Sequence, residues 1–262
     1  MSNDASSPSP APGEDQPGFV GRSMRDWVTL RKPAPQLQGI LFGLVCLAAC
    51  LAAWYFATLG PGEERVISPV MLPSPLETAD SFKSLWFERA LTINTGITLR
   101  RVMLGFFLAV CVGIPVGVLA GCFSRAQAFL APLILFGRNI PLAALIPLTF
   151  FFFGIGEAQK VMFIFIACVA FIIADVAVAI RDVGTRYVDT AYTLGASRWQ
   201  IIIKVLVPLA LPSVFNSLRL LFGLAFGYIM LAELVKTGEG AGGLGYLINL
   251  SQRRGPREHI YL

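Results

Sequence analysis

Few side chains in this sequence are equipped for covalent chemistry. The single histidine, His259, lies within the last four residues, so a Ser-His-Asp relay or a histidine-rich metal site has no material. The five cysteines, Cys46, Cys50, Cys111, Cys122 and Cys168, all fall in or beside apolar runs. Cys46 and Cys50 are one helical turn apart, but no second pair, histidine or carboxylate accompanies them. That makes them packing residues and leaves no metal site. No Gly-Lys pair occurs, so the phosphate-binding loop Gly-x4-Gly-Lys-Ser/Thr is absent. The polar residues with a stronger claim interrupt apolar runs. Arg138 and Asn139 break one run; Asn216 and Arg219, three apart and hence on one helix face, lie in another. Ionisable groups at membrane depth are costly and mark solute pathways by default. An arginine-lined path would suit an anion. Pairing with an internal carboxylate, or reach to an interface, is the competing account. Asp175 and Glu233 stand near the ends of runs, where a structural role is expected. Phe150–Phe153 could gate a path, but packing or a lipid-facing role is the stronger expectation.

The elements that position these residues follow from composition. The chain is 55% hydrophobic and 14% charged, with a mean hydropathy of +0.68. A soluble domain carries about 25% charge. The apolar residues fall in runs long enough for a helix to cross the roughly 30 Å hydrocarbon layer. Five spans are expected, at 39–59, 99–121, 129–153, 161–180 and 209–235, giving an all-α integral membrane fold. The net charge of +5 flanks these runs, and no basic stretch is interleaved with aromatics, so nucleic acid is not an expected partner. Residues 1–35 are a polar, disordered tail, with no signal-peptide pattern. Residues 36–69 hold the first span and the start of an external connection. Residues 70–262 form the core. Gly113, Gly117 and Gly121 recur every four residues, as do Gly223 and Gly227, which lets helix backbones approach closely in lipid. The third span is broken at Arg138–Pro141, a break tolerated only where protein or a water-filled cavity satisfies the backbone. Charge counting leaves orientation open: nine basic residues fall on one side and ten on the other.

The longest polar stretch between spans is 181–207. Within it, Asp189-Thr190-Ala191 is followed three residues later by Gly195. Nine residues further on comes Val205-Leu206-Val207-Pro208. Small residues such as Ala191 and Ala196 suit a helix that must fit a groove on another protein. Gly195 allows a left-handed turn between two short helices. Pro208 and Pro212 suit the start of the next span. Tyr187, Leu194 and Trp199 supply apolar anchors. A plain amphipathic surface loop would not require this spacing.

This stretch resembles the conserved cytosolic loop of ABC importer permeases: Glu-Ala-Ala, three residues, Gly, nine residues, Ile-x-Leu-Pro. The departures are Asp for Glu, Thr for the first Ala, and Val for both Ile and Leu. Arg138-Asn139-Ile140-Pro141, Leu145-Ile146-Pro147-Leu148, Gly154-Ile155-Gly156-Glu157, Glu233, Gly243-Leu244-Gly245 and Leu72-Pro73-Ser74-Pro75 extend the similarity to the nitrate/sulfonate/taurine/bicarbonate group. The resemblance covers about residues 70–250. It implies the transmembrane domain of a type I ABC importer, in a bacterial inner membrane, moving a small anion by alternating access. It implies a second permease copy, most often identical, and an external substrate-binding protein. ATPase subunits would dock on 189–204 and carry the ATP and Mg, with no cofactor on this chain. The loop would then be cytosolic, the N-terminus inside, and a sixth span expected past residue 262. A secondary transporter or channel would need inverted repeats and mid-membrane carboxylates, neither of which is evident. An integral-membrane enzyme would need a His, Asp or Glu cluster.

Overall fold

The computed structural model describes residues 35–60, 65, 67, 71–87, 90–235 and 242–254. The expected tail at 1–34, Pro61, Pro69, the glycine-rich 236–241 and everything past 254 lie outside these residues. The chain forms two compact units, 1–66 and 67–262. The first contains helix α1, Gln36–Ala57. Its 22 residues carry no charge and would reach about 33 Å, enough to cross a bilayer.

The second unit begins with α2, Pro75–Phe87. A reciprocal cap starts it: the Ser74 N–H donates to Glu77 Oε2 at 2.8 Å and the Glu77 N–H to Ser74 Oγ at 3.2 Å. Then come α3, Leu91–Cys122; α4, Ser124–Asn139; α5, Leu142–Phe153; and α6, Glu157–Arg181. α3 starts eight residues before the expected span, so Arg100 and Arg101, at the edge of that span, lie well inside the helix. Pro115 sits within it without ending it.

α6 is the central helix, with most of its apolar length buried, and α3 lies along it. The reason is the four-residue repeat of small residues on α3. A methyl group at Gly113 would stand 2.6 Å from Ile172 Cγ2, one at Gly117 2.7 Å from Val176 Cβ, and one at Gly121 2.7 Å from Ile180 Cβ. The ladder extends upstream through Ala109, fully buried, and Gly105 against Ile164. Matched positions rise together, so α3 and α6 run parallel. The segment between them must therefore return from one end of the bundle to the other. It does so as α4 and α5, bent by 105° at Ile140-Pro141. Counted as one crossing, the broken pair brings the helices long and apolar enough to span a membrane to five among the described residues.

After α6, α7 spans Thr185–Thr193 and α8 Arg198–Ile201. A π-turn, Ile202–Leu206, leads into α9, Val207–Glu233. The last membrane helix does not begin at Pro208, as sequence suggested. It runs unbroken from Arg198 to Glu233, 36 residues. Pro208 has no N–H to donate, and the widened turn just before it absorbs the mismatch, with the Val207 N–H bonding to Ile202 O. α10, Leu244–Arg254, ends the described chain.

Candidate functional site

The segment between α6 and α9 is a helix–turn–helix closed by its own backbone. Gly195 has φ +79°. Its N–H donates to Tyr192 O at 2.9 Å, and the Ala196 N–H reaches Ala191 O at 3.0 Å. These two bonds make a Schellman cap on α7. Ser197 then caps α8: its N–H donates to Gln200 Oε1 at 2.8 Å, and the Gln200 N–H returns to Ser197 Oγ. A methyl at Gly195 would meet nothing within 4 Å, so glycine is required by backbone conformation and not by space. The turn leaves Leu194 82% and Trp199 62% exposed, with Tyr187 and Tyr192 exposed beside them. Asp189 and Thr190 are exposed on the same short helix, while Ala191 and Ala196 are half-buried. Ile201 and Ile202 are buried and anchor the segment. A 140 Å³ pocket between this segment and Cys122-Phe123 marks where it meets the end of α3.

Of the four residues expected to line a solute path, the structure brings two together. Arg138 and Asn139 border a cleft between α4 and α6. Arg138 stacks over Phe171, 5.1 Å from the ring centre, and its Nη1 stands 3.9 Å from Asp175 Oδ1. Asn216 and Arg219 are exposed on α9 and are absent from that cleft. Of the glycines, Gly113, Gly117 and Gly121 face α6, but nothing among the described residues lies within 4 Å of a methyl at Gly223 or Gly227. That second pair packs no helix within the described chain. Phe151 and Phe152 are exposed on α5. Among the described residues no three His, Cys, Asp or Glu side chains gather as a metal site.

Sequence reasoning missed a buried ionic cluster at the opposite end of the bundle. Arg101, 1% exposed, donates from Nε to Glu157 Oε2 at 2.9 Å and from Nη1 to Glu233 Oε1 at 2.7 Å. Its Nη2 also pairs with Glu157 Oε1. Thr98 Oγ1 donates to the Glu233 carboxylate at 3.0 Å. The chain after α9 is tied to the same group: the Gly245 N–H donates to Glu233 Oε2 at 3.0 Å, and Arg101 Nη1 donates to Gly242 O at 2.6 Å. The Leu244 N–H donates to Thr98 Oγ1 at 2.9 Å and the Gly243 N–H to Asn94 Oδ1 at 2.8 Å. A side chain at Gly243, where φ is +108°, would collide with the Glu233 carboxylate. Buried Lys160 lies one turn beyond Glu157, and Arg100 Nη2 donates to Glu157 Oε2 at 3.2 Å, so three basic residues gather around two carboxylates. The signal was present in the sequence, because Arg101 continues the four-residue ladder of Gly105, Ala109 and Gly113.

Residues 113–258 match the family of binding-protein-dependent transport system inner membrane components. The chain belongs to this family. The permease is 31% identical over 214 residues to the taurine transport system permease protein TauC of Escherichia coli, covering 79% of this chain and 76% of that one. It is 31% identical over 235 residues to the nitrate import permease protein NrtB of Synechococcus elongatus, covering 84% and 83%. The bicarbonate transport system permease protein CmpB of the same organism is 31% identical over 224 residues, covering 84% and 80%. Among solved structures, a chain of the inward-facing MetNI methionine ABC transporter superposes with a TM-score of 0.58 at 26% identity, over 67% of the permease and 85% of that chain. The permease therefore has the all-helical fold of a type I importer membrane domain and is a transport component, not an enzyme.

Proposed function

We propose that the permease is the membrane-spanning subunit of an ATP-driven importer for a small anion: nitrate, bicarbonate, a sulfonate or a similar solute. A separate ATPase, carrying the ATP and Mg, docks on 189–204 and moves the spans between inward-open and outward-open states. An external binding protein delivers the solute, and a second copy of the permease completes the path.

The observation that carries this reading is the self-closed turn at Gly195. It holds Leu194, Trp199 and two tyrosines out into solvent on a segment continuous with α9. Large aromatic and apolar knobs on a rigid frame are the residues that dominate protein–protein contacts. A docked partner that shifts this segment shifts a membrane helix with it. The names of the relatives supply the solute class. Four crossings separate the N-terminus from this segment, so a cytosolic loop puts the N-terminus in the cytosol.

The test is affinity purification of the tagged permease from its native membrane, followed by reconstitution. An ATPase subunit should co-purify, and uptake of one of these anions should require ATP and the binding protein. Solute transport by the purified permease alone, without ATP, would refute the reading.

A further inference from the structure

The cleft between α4 and α6 is an open groove of about 600 Å³. One wall is a single face of α4, carrying Gln127, Ala131, Ile134 and Arg138. The other is a face of α6, carrying Phe171 and Arg181 at its two ends. Phe171 and Arg181 are ten residues apart, hence about 15 Å along the helix. Arg138 stacks on Phe171, so the two arginines stand at opposite ends of the cleft with apolar wall between them.

We propose that this cleft binds an oxyanion head carried on an apolar body, a sulfonate or a phosphodiester, with Arg138 as the anchor of the head and Arg181 adding positive charge at the far end. The geometry of Arg138 supports it. The guanidinium face is held by the Phe171 ring, and its one carboxylate, Asp175, is too distant for a hydrogen bond at 3.9 Å. Its planar fork of N–H donors is left to meet a two-oxygen acceptor, which is the geometry guanidinium pairs with best. Arg181 has no ion-pair partner among the described residues. With Asp175 offsetting one of the two arginines, the cleft keeps one net positive charge. A bare inorganic anion would leave most of 600 Å³ unfilled, whereas Ala131, Ile134 and Phe171 suit a hydrocarbon body. Two sources supply that chemistry, a transported alkanesulfonate and an anionic lipid, and the proposal rests on the anion reading above only for the first.

The test uses the permease assembled with its ATPase in nanodiscs. In phosphatidylcholine discs, 1-butanesulfonate and nitrate are titrated as probes. In mixed discs, native mass spectrometry reads retained phosphatidylglycerol. A solute site predicts butanesulfonate binding at least tenfold tighter than nitrate. A lipid site predicts one phosphatidylglycerol kept through washing. In whichever arm binds, Arg138→Gln lowers occupancy at least tenfold and Arg138→Lys restores part of it. Ala131→Phe, which keeps both charges and fills the space, abolishes it. No binding of either probe by the wild type, or equal binding by Arg138→Gln and Ala131→Phe, overturns the site. ATP-driven anion uptake that persists in that case leaves the importer reading standing. Absence of ATP-driven uptake with the lipid still retained sinks the importer reading alone.

Discussion

At Gly195 the backbone occupies φ +79°, where a Cβ costs about 1–2 kcal/mol. Nothing crowds the position, so Gly195→Ala should leave the permease folded and weaken coupling modestly. Gly195→Val adds β-branching and should abolish ATP-driven uptake while the protein still purifies as a monodisperse species; size-exclusion chromatography beside uptake separates the two effects. Glu233 is a different kind of position. It is buried with Arg101 and two further donors, so its loss leaves those donors unmet and Arg101 with Glu157 as its remaining carboxylate. Glu233→Gln should cost about 3–5 kcal/mol, the range for breaking a buried pair. Glu157→Gln should cost less, because that side chain is 41% exposed and water screens it. Thermal unfolding of the two variants in the same detergent checks the order.

Among the helices, the glycine ladder of α3 carries the closest packing. Gly117→Leu would drive a side chain into Val176 and the Ile173 carbonyl and should destabilise the α3–α6 pair by about 1–3 kcal/mol or more. Gly223→Ala meets open space, so the isolated chain's melting temperature should not fall. A fall equal to that of Gly117→Leu would mean that α9 packs differently. The spans and the broken third crossing were legible because apolar run length and Arg138–Pro141 are local signals. The ladder at Gly113–Gly121 was legible for the same reason. The start of the last membrane helix was not: a proline after a polar stretch reads as an N-terminus, and only the π-turn reveals that the helix passes through it. Of the ionic cluster only Arg101 left a local mark, as a step of that ladder; its partners come from residues 94 to 245, and pairing across that distance leaves none in local spacing. Charge counting failed for a related reason. Two of the ten basic residues on the one side are Arg101 and Lys160, both only 1% exposed within the protein.

For the molecule as a whole, the ionic cluster and the proposed docking segment lie at opposite ends of α6, about 36 Å apart by its 25 residues. The first ties α3, α6, α9 and residues 242–245 into one body; the second offers that body a handle. Trp199→Ala should weaken ATPase association by about 2 kcal/mol, roughly thirtyfold, the cost of truncating an aromatic anchor. Titrating purified ATPase against the permease in nanodiscs measures it, and an unchanged affinity would place the contact elsewhere on the segment. The π-turn at Ile202–Leu206 sets one further quantity. It inserts a single surplus residue into an otherwise continuous rod, and one residue is about 100° of rotation and 1.5 Å of length. The wide turn takes up that residue locally, so the compass bearing of Leu194 and Trp199 around the axis of α9 stays near that of an uninterrupted helix. Deleting Ile203 would let the turn close as α-helix with the handle's bearing nearly kept, whereas deleting one residue from the regular part of α9 would swing the proposed docking side chains by about 100°, each of them intact and aimed at the wrong partner.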